Sequence, residues 1–281
     1  MPNILTISSP DEPALVHYRG LVDPQRQARE LRGELSHFIA EGQWVVEKLI
    51  DSSLELHSLL MTPERAELMA PILARVHAPV FVAPVSVIQE IAGFEFHRGV
   101  LACGVRPAAN DCWERVRRAR VILALEQVSN PDNVGGLLRS LAGLAGASGA
   151  LLLGPGCSDP LYRKCIRVSM GHVFGLPWAM VDDLHASVRS LQDSGAAVLA
   201  TTPEPGAEDL RRLGPLPDRV VVLLGAEGPG LTPNMMQTAC RKVRIPMCPG
   251  VDSLNVGVAG AIVLDRVIER LGGEPIPISG V

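Results

Sequence analysis

Three short stretches place polar side chains among glycine and proline, and they are where this chain could do chemistry. "QVSNPDNVGGLLRS" carries Asn133 and Arg139, and "GAEGPGLTP" carries Glu227. "IPMCPGVDSLNVGVAGAIVLDRV" sets Ser253, Leu254 and Asn255 at the mouth of a helix. A guanidinium, a carboxylate, a hydroxyl and two amides bind by hydrogen bonds and charge, and they are not a metal-ligand set. Taken singly each has a bland reading: Arg139 a surface residue, Glu227 a solvated turn residue, Ser253 a helix cap.

Several chemistries are excluded by pattern. No GxGxxG opens a helix after an early strand, since "GAEGPG" has the wrong spacing, and there is no GxxxxGK[ST]. A nicotinamide dehydrogenase, a Rossmann methyltransferase and a P-loop NTPase all lose support. The six cysteines (Cys103, Cys112, Cys157, Cys165, Cys240, Cys248) form no CxxC pair and the histidines are scattered along the chain, so neither a zinc site nor a disulfide framework is expected.

The elements that must position these loops follow from composition and pattern. With 281 residues, 47% of them hydrophobic, and a mean hydropathy of +0.22, the chain can form one large or two ordinary cored domains. No apolar run is long enough to span a bilayer and no leader pattern opens the chain, so a soluble, cytoplasmic protein without a membrane partner is expected. The mixed stretch "GVRPAANDCWERVRRAR" separates two patterns, giving expected domains at 1–107 and 120–281 with a linker at 108–119.

Before the linker, "FIAEGQWVVEKLIDS" reads as a strand or turn feeding a helix, "LHSLLMT", "PVFVAPV" and "RGVLACGV" as strands, and "VSVIQEIAG" as a helix. After it, "VILALE", "GALLLG", "AAVLATT", "RVVVLLG" and "KVRIPM" read as short strands buried on both faces, alternating with helices. That alternation predicts a parallel α/β sheet, whose ligands bind beyond the C-terminal strand ends, where the three stretches lie. Asp132 or Asn133 is expected to cap one helix, Thr232 before Pro233 another, and Asp252 or Ser253 the last. Gly257 and Gly260 inside that last helix each cost about 1 kcal/mol against alanine, so something must approach it closely.

In order and spacing, "NPDNVGGLLRSLAGLAGASGALLLG", "LLGAEGPGLT" and "IPMCPGVDSLNVGVAGAIVLDRV" resemble the three motifs of SPOUT-class RNA ribose methyltransferases of the SpoU/TrmH type, from about Val121 to Leu271. The first half resembles the smaller α/β substrate-binding domain, related to a ribosomal-protein fold, often attached to this family. The resemblance implies a C-terminal parallel-sheet α/β fold closed by a deep trefoil knot. It also implies a bent S-adenosylmethionine bound by Gly225, Ala226, Glu227, Gly228, Ile245, Met247, Ser253, Leu254 and Asn255, with Thr201 and Thr202 as weaker candidates.

Methyl transfer to a ribose 2′-hydroxyl is the implied reaction, without a metal. Arg139 would sit at the reacting hydroxyl with Asn133, Glu227, Ser253 and Asn255 around it, as general base or as a stabiliser of charge. A non-catalytic RNA-binding relative is the alternative, and the intact set of five residues counts against it.

The implied partners are RNA, ribosomal rather than transfer RNA, and a second copy of the chain. An apolar face at Val256, Val263 and Val267 would suit a homodimer if exposed, or equally belong to the core. A net charge of −4 means that RNA must use local basic clusters, Arg163, Lys164 and Arg167 or Arg115 to Arg120.

Overall fold

The computed structural model describes residues 3–272 and 276–278, with backbone alone at 109–111; the outer ends of the two expected domains, 1 and 281, lie outside the described residues. The chain forms two compact units. Among the described residues, one holds the chain up to Pro107 together with Asp159–Gly175, and the other holds Ala108–Ser158 and the chain from Leu176 to Ile278. Asp159–Gly175 thus lies inside the stretch read as the second domain but packs with the first unit.

In the first unit the order is β1 (Ile4–Thr6), α1 (Pro24–Leu31), β2 (His37–Glu41), α2 (Gln43–Asp51), β3 (Leu56–Met61), α3 (Pro63–Leu68), α4 (Ala70–Leu73), β4 (Val80–Val82), α5 (Val85–Ala92) and β5 (Val100–Val105). The sheet runs β1-β4-β3-β5-β2, parallel through β1, β4 and β3 and antiparallel on either side of β5. Its core gathers Ile39, Leu60, Phe81 and Leu101 from the strands with Leu15, Tyr18, Leu21, Ile88 and Ile91. Helix starts are fixed locally: Asp23 and Thr62 accept the backbone N–H groups of Arg26 and Arg65, each just before a proline that has no N–H to leave unpaired.

The chain continues with α6 (Ala109–Val116), β6 (Val121–Leu125), α7 (Pro131–Leu144) and β7 (Gly149–Leu153). Next comes α8 (Arg163–Val168), which belongs to the first unit. The second unit then resumes with β8 (Trp178–Met180), α9 (Leu184–Asp193), β9 (Ala197–Thr201), β10 (Glu208–Asp209), β11 (Val220–Leu224), α10 (Pro233–Thr238), β12 (Arg241–Arg244) and α11 (Val256–Leu271). Its strands order as β10-β12-β9-β11-β6-β7-β8, and every pairing is parallel. β6, β7 and β11 are buried along their whole length, as central strands covered on both faces must be. Ile122, Ala124, Leu152, Val198, Val221 and Leu223 pack with Val116, Val188, Leu191 and Met235 of α6, α9 and α10.

The five strands read from this half of the sequence are all present. β8 and β10 are additional, at three and two residues too short to carry a period. The stretch read as a linker contains α6, whose Val116 is core.

Two helix caps differ from expectation. α7 is capped by Asn130, whose side chain accepts the Asp132 N–H at 2.9 Å, because Pro131 fixes the first helical position one residue before Asp132. α11 starts at Val256 and is capped by Asn255, whose Oδ1 accepts the N–H groups of Gly257 and Val258 at 2.9 and 3.2 Å. Asp252 and Ser253 lie in irregular chain ahead of it.

The small residues of α11 have a definite neighbour. A Cβ on Gly260 would stand 2.3 Å from Leu137 Cδ2 of α7 and 2.8 Å from Leu224 Cδ1 of β11. The helix therefore meets α7 and β11 at a separation that a side chain would prevent.

Of the two readings of Val256, Val263 and Val267, the core one holds: all three are buried. Their spacing with Gly260 makes one helical stripe, and that stripe is the one turned inward. The exposed apolar residues of α11 are Val258 and Ile262, 51% and 40% accessible.

Candidate active site

The C-terminal ends of β9, β11 and β12 open onto one cavity of about 320 Å³. This is where parallel sheets bind ligands, and the volume falls within the roughly 300–1,000 Å³ of ligand clefts. Its wall is assembled from four stretches of the chain. Thr201, Thr202 and Pro203 come from the end of β9, and Leu224 to Gly228 with Gly230 from the loop after β11. Val243, Ile245 and Met247 come from β12 and beyond, and Ser253 to Val256, Ala259 and Val263 from the entry and first turns of α11. The residues expected to hold a cofactor, the two weaker candidates included, all stand on this wall.

The loop after β11 is shaped by its glycines. A Cβ on Gly225 would lie 2.2 Å from the Gly230 carbonyl carbon and 2.3 Å from the Leu231 nitrogen, so only glycine fits. Gly228 and Gly230 have φ of +91° and +72°, which other residues rarely adopt. The Gly230 N–H closes the turn on the Ala226 carbonyl at 3.0 Å. Glu126, at the end of β6, clasps the far side: its carboxylate accepts the Thr232 N–H at 2.7 Å and the Thr232 hydroxyl at 2.8 Å.

Three of the expected catalytic residues form one hydrogen-bonded group. Glu227 Oε1 accepts from Asn133 Nδ2 at 2.7 Å and from Asn255 Nδ2 at 2.9 Å, and Asn255 Nδ2 also lies 2.9 Å from Asn133 Oδ1. Asn133 is buried on the inner face of α7. Asn255 is simultaneously the cap of α11, so the helix start and the carboxylate are fixed by the same side chain. The result is a carboxylate of set orientation on the cavity wall, with Oε2 carrying no hydrogen bond among the described residues. The Ser253 hydroxyl stands exposed beside it without a hydrogen bond among those residues. The Thr201 hydroxyl is committed to the Leu223 carbonyl at 2.8 Å and offers the cavity only acceptor capacity.

Arg139 is not brought to this group within the chain. Six residues past Asn133 on a helix is about 600° of rotation, which leaves the two side chains roughly 120° apart around the axis. Arg139 instead shares the outer face with Asp132, Gly136 and Gly143; it is exposed and has no hydrogen bond or ion pair among the described residues.

Sequence reasoning missed part of the wall. Val243, Val256, Ala259 and Val263 carry the same spacing as core residues, and nothing local separates a cavity floor from a core. Glu126 did carry a signal: it is a carboxylate that ends a buried strand whose neighbour, β11, leads into the glycine loop.

The two basic stretches are largely spoken for. Arg163 donates to the Leu21 carbonyl at 3.2 Å and its guanidinium lies 4.9 Å from the centre of the Phe94 ring, with burial pushing its pKa down. In the other stretch Arg117 pairs with Glu114 at 3.5 Å and Arg120 with Asp218 at 4.0 Å. Among the described residues the one group of three or more side chains placed to hold a metal is in the first unit, where His17, His37 and His57 meet; these histidines are scattered in sequence and together in space.

The chain is similar to known proteins over most of its length. The model of the SpoU rRNA Methylase family matches residues 120–265. An uncharacterized tRNA/rRNA methyltransferase of Mycobacterium bovis is 36% identical over 92% of this chain and 90% of its own length. The 23S rRNA (adenosine(1067)-2′-O)-methyltransferase of Streptomyces azureus is 27% identical over 96% of this chain and 98% of its own. The crystal structure of an AdoMet-bound rRNA methyltransferase from Sinorhizobium meliloti superposes with a TM-score of 0.78 at 26% identity, covering 95% of this chain and 98% of that one.

Proposed function

The chain belongs to the SpoU rRNA methylase family and is an RNA methyltransferase; from that premise we propose that it transfers a methyl group from S-adenosylmethionine to a ribose 2′-hydroxyl of ribosomal RNA, as a homodimer. The observation that carries this reading is the cavity at the ends of β9, β11 and β12, with the Asn133–Glu227–Asn255 group on its wall.

The residues present fit such a cofactor. Leu224, Val243, Ile245, Met247, Leu254 and Val256 give an apolar slot for a flat ring. The glycine loop admits a ligand against bare backbone, and Glu227 supplies the one carboxylate of the wall, matched to a cationic sulfonium. When bound, S-adenosylmethionine supplies an electrophilic methyl group.

The chain's residues would then do three things. The glycine loop and the entry to α11 hold the donor at a fixed place, and positioning of this kind accounts for much of the gain in a direct displacement. Asn133 and Asn255 keep the Glu227 carboxylate from turning away. Arg139, whose guanidinium is a hydrogen-bond donor with no acceptor, acts on the developing alkoxide or the adjoining phosphate rather than as a base.

Since Arg139 points away from its own cavity wall, the proposal delivers it from the second copy. Val258 and Ile262 on α11, with the open positions of Gly136 and Gly143 on α7, are the apolar and side-chain-free surface that such a contact would use. Ribosomal RNA is preferred because a relative matched over nearly its whole length bears a 23S rRNA name.

The test is incubation with methyl-labelled S-adenosylmethionine and either ribosomal RNA or transfer RNA, followed by digestion to nucleosides. Label in a 2′-O-methylated nucleoside of ribosomal RNA is expected. Label only in transfer RNA would overturn the substrate, label on a base would overturn the position, and cofactor binding without transfer to any RNA would point to a non-catalytic relative.

A further inference from the structure

His17, His37 and His57 are far apart in sequence and converge in the first unit. His17 lies in the 3₁₀ turn Pro13–Tyr18, His37 opens β2, and His57 lies in β3. Ring centroids are 4.1 Å apart for His17–His37, 4.8 Å for His17–His57 and 5.0 Å for His37–His57. One ring nitrogen of each lies within 4.8 Å of the others. All three are half-buried, so a small ion can reach them.

The backbone is adapted to this meeting. β5 separates β2 from β3 in the sheet, and the β3–β5 register shifts between Leu56 and Ser58, making His57 the extra residue of a β-bulge. Bulges re-aim side chains at some cost to the ladder, and this one falls at the histidine.

Hydroxyls hold two of the rings. His37 Nδ1 is 3.0 Å from Ser36 Oγ, and His57 Nδ1 is 3.1 Å from Ser58 Oγ, which is itself 2.9 Å from the buried Tyr18 hydroxyl. A hydrogen bond on one ring nitrogen is how ligating imidazoles are usually oriented, and it leaves the other nitrogen for a ligand.

The charged neighbours tolerate a cation. Arg26, beside His17, is engaged with Glu30 Oε1 at 2.8 Å and with the carbonyls of Arg19 and His17, and Glu55 lies near His37.

We propose that His17, His37 and His57 form a binding site for a divalent late first-row transition-metal ion, Zn²⁺ foremost, with a fourth position open to water or an oxygen donor. Three neutral imidazoles with one open position are a known zinc set, and metal–nitrogen bonds of about 2.0–2.1 Å require the rings to close slightly by rotation of their side chains. The ion would clip the turn holding His17 to strands β2 and β3. This runs against the expectation that the protein has no metal, and it is independent of the methyl-transfer reading.

The test uses tag-free, chelator-stripped full-length protein. Titration with Zn²⁺ by calorimetry should give one site, and Co²⁺ should give the visible absorption of a four-coordinate complex. His37→Ala and His57→Ala should each weaken Zn²⁺ binding by about tenfold or more, while His97→Ala, an exposed histidine elsewhere, should leave it unchanged. Zn²⁺ should also raise the melting temperature of the wild type and of His97→Ala only. Should His57→Ala fail to fold, His57→Gln, which keeps a polar side chain at the bulge, replaces it with the same expectation. No Co²⁺ spectrum and no Zn²⁺ heat at 1:1, or equal affinity in His37→Ala and His97→Ala, would overturn the proposal.

Discussion

Helices α7 and α8 each display an arginine that invites a functional reading, and the fold treats the two in opposite ways. Arg163 of α8 is half-buried, with its guanidinium over Phe94 and a hydrogen bond to the Leu21 carbonyl. Arg139 of α7 stands on the outer face while Leu137, Leu138 and Leu141 of the same helix fill the core. One arginine has its donors and its ring stack supplied by the fold, so its loss is a loss of packing. The other is held out with no partner among the described residues, so its use must come from something else. Arg106 extends the first case: it forks onto the fully buried Asp159 at 2.9 and 3.1 Å.

The contrast can be broken by substitution, and the largest effect on stability should come from Asp159→Ala. It strands Arg106 and removes an acceptor of the Leu161 N–H; breaking such a buried pair costs about 3–5 kcal/mol. Urea unfolding should show that loss, while S-adenosylmethionine binding measured below the transition should be unchanged. Gly260→Val comes next. Its new side chain meets Leu137 and Leu224, and overpacking of this kind costs about 1–3 kcal/mol, read from thermal melting. Gly225→Ala acts on the site itself: with no room before Gly230 the loop must move, and cofactor affinity should fall about tenfold or more, equivalent to about 1.4 kcal/mol by calorimetry.

The smallest effect belongs to an arginine partnered near the surface. Arg241 donates to Glu208 at 2.7 Å and holds that carboxyl below the usual glutamate range. A depressed carboxyl contributes stability above its unfolded value, about 4.3, and loses it as pH falls through the folded one. Glu208→Gln should therefore flatten the acid side of the melting profile below that value, by less than about 1 kcal/mol, and change nothing at pH 7 beyond the loss of that pair.

Much of the second unit was legible because buried parallel strands write their pattern openly. "VILAL", "GALLL" and "VVVLL" suit little besides a strand covered on both faces, and the loops after such strands are where a ligand must go. The site was legible for the same reason: the stretches after these strands hold Gly225, Glu227 and Gly228 and the Ser253-Leu254-Asn255 entry to the last helix. What could not be read was relational. Asn255 and Ser253 are equally good caps until the path after Gly250 is known. Val256 and Val258 look alike until one turns to α7 and the other to solvent. The meeting of His17, His37 and His57 depends on strand order and a bulge that no local window contains.

The central claim is that Arg139 serves chemistry while Arg163 serves the fold, and one paired measurement addresses it. Labelled methyl transfer to ribosomal RNA and thermal melting are recorded together for wild type, Arg139→Ala and Arg163→Ala. The account predicts that Arg139→Ala loses about 10²–10³-fold in transfer, the usual effect of removing a charge-stabilising donor, while melting and binding the cofactor as the wild type does. It predicts that Arg163→Ala loses about 1–2 kcal/mol of stability and keeps transfer within a few-fold at temperatures where it is folded. Wild-type transfer by Arg139→Ala, or a melting loss there as large as that of Arg163→Ala, would contradict it.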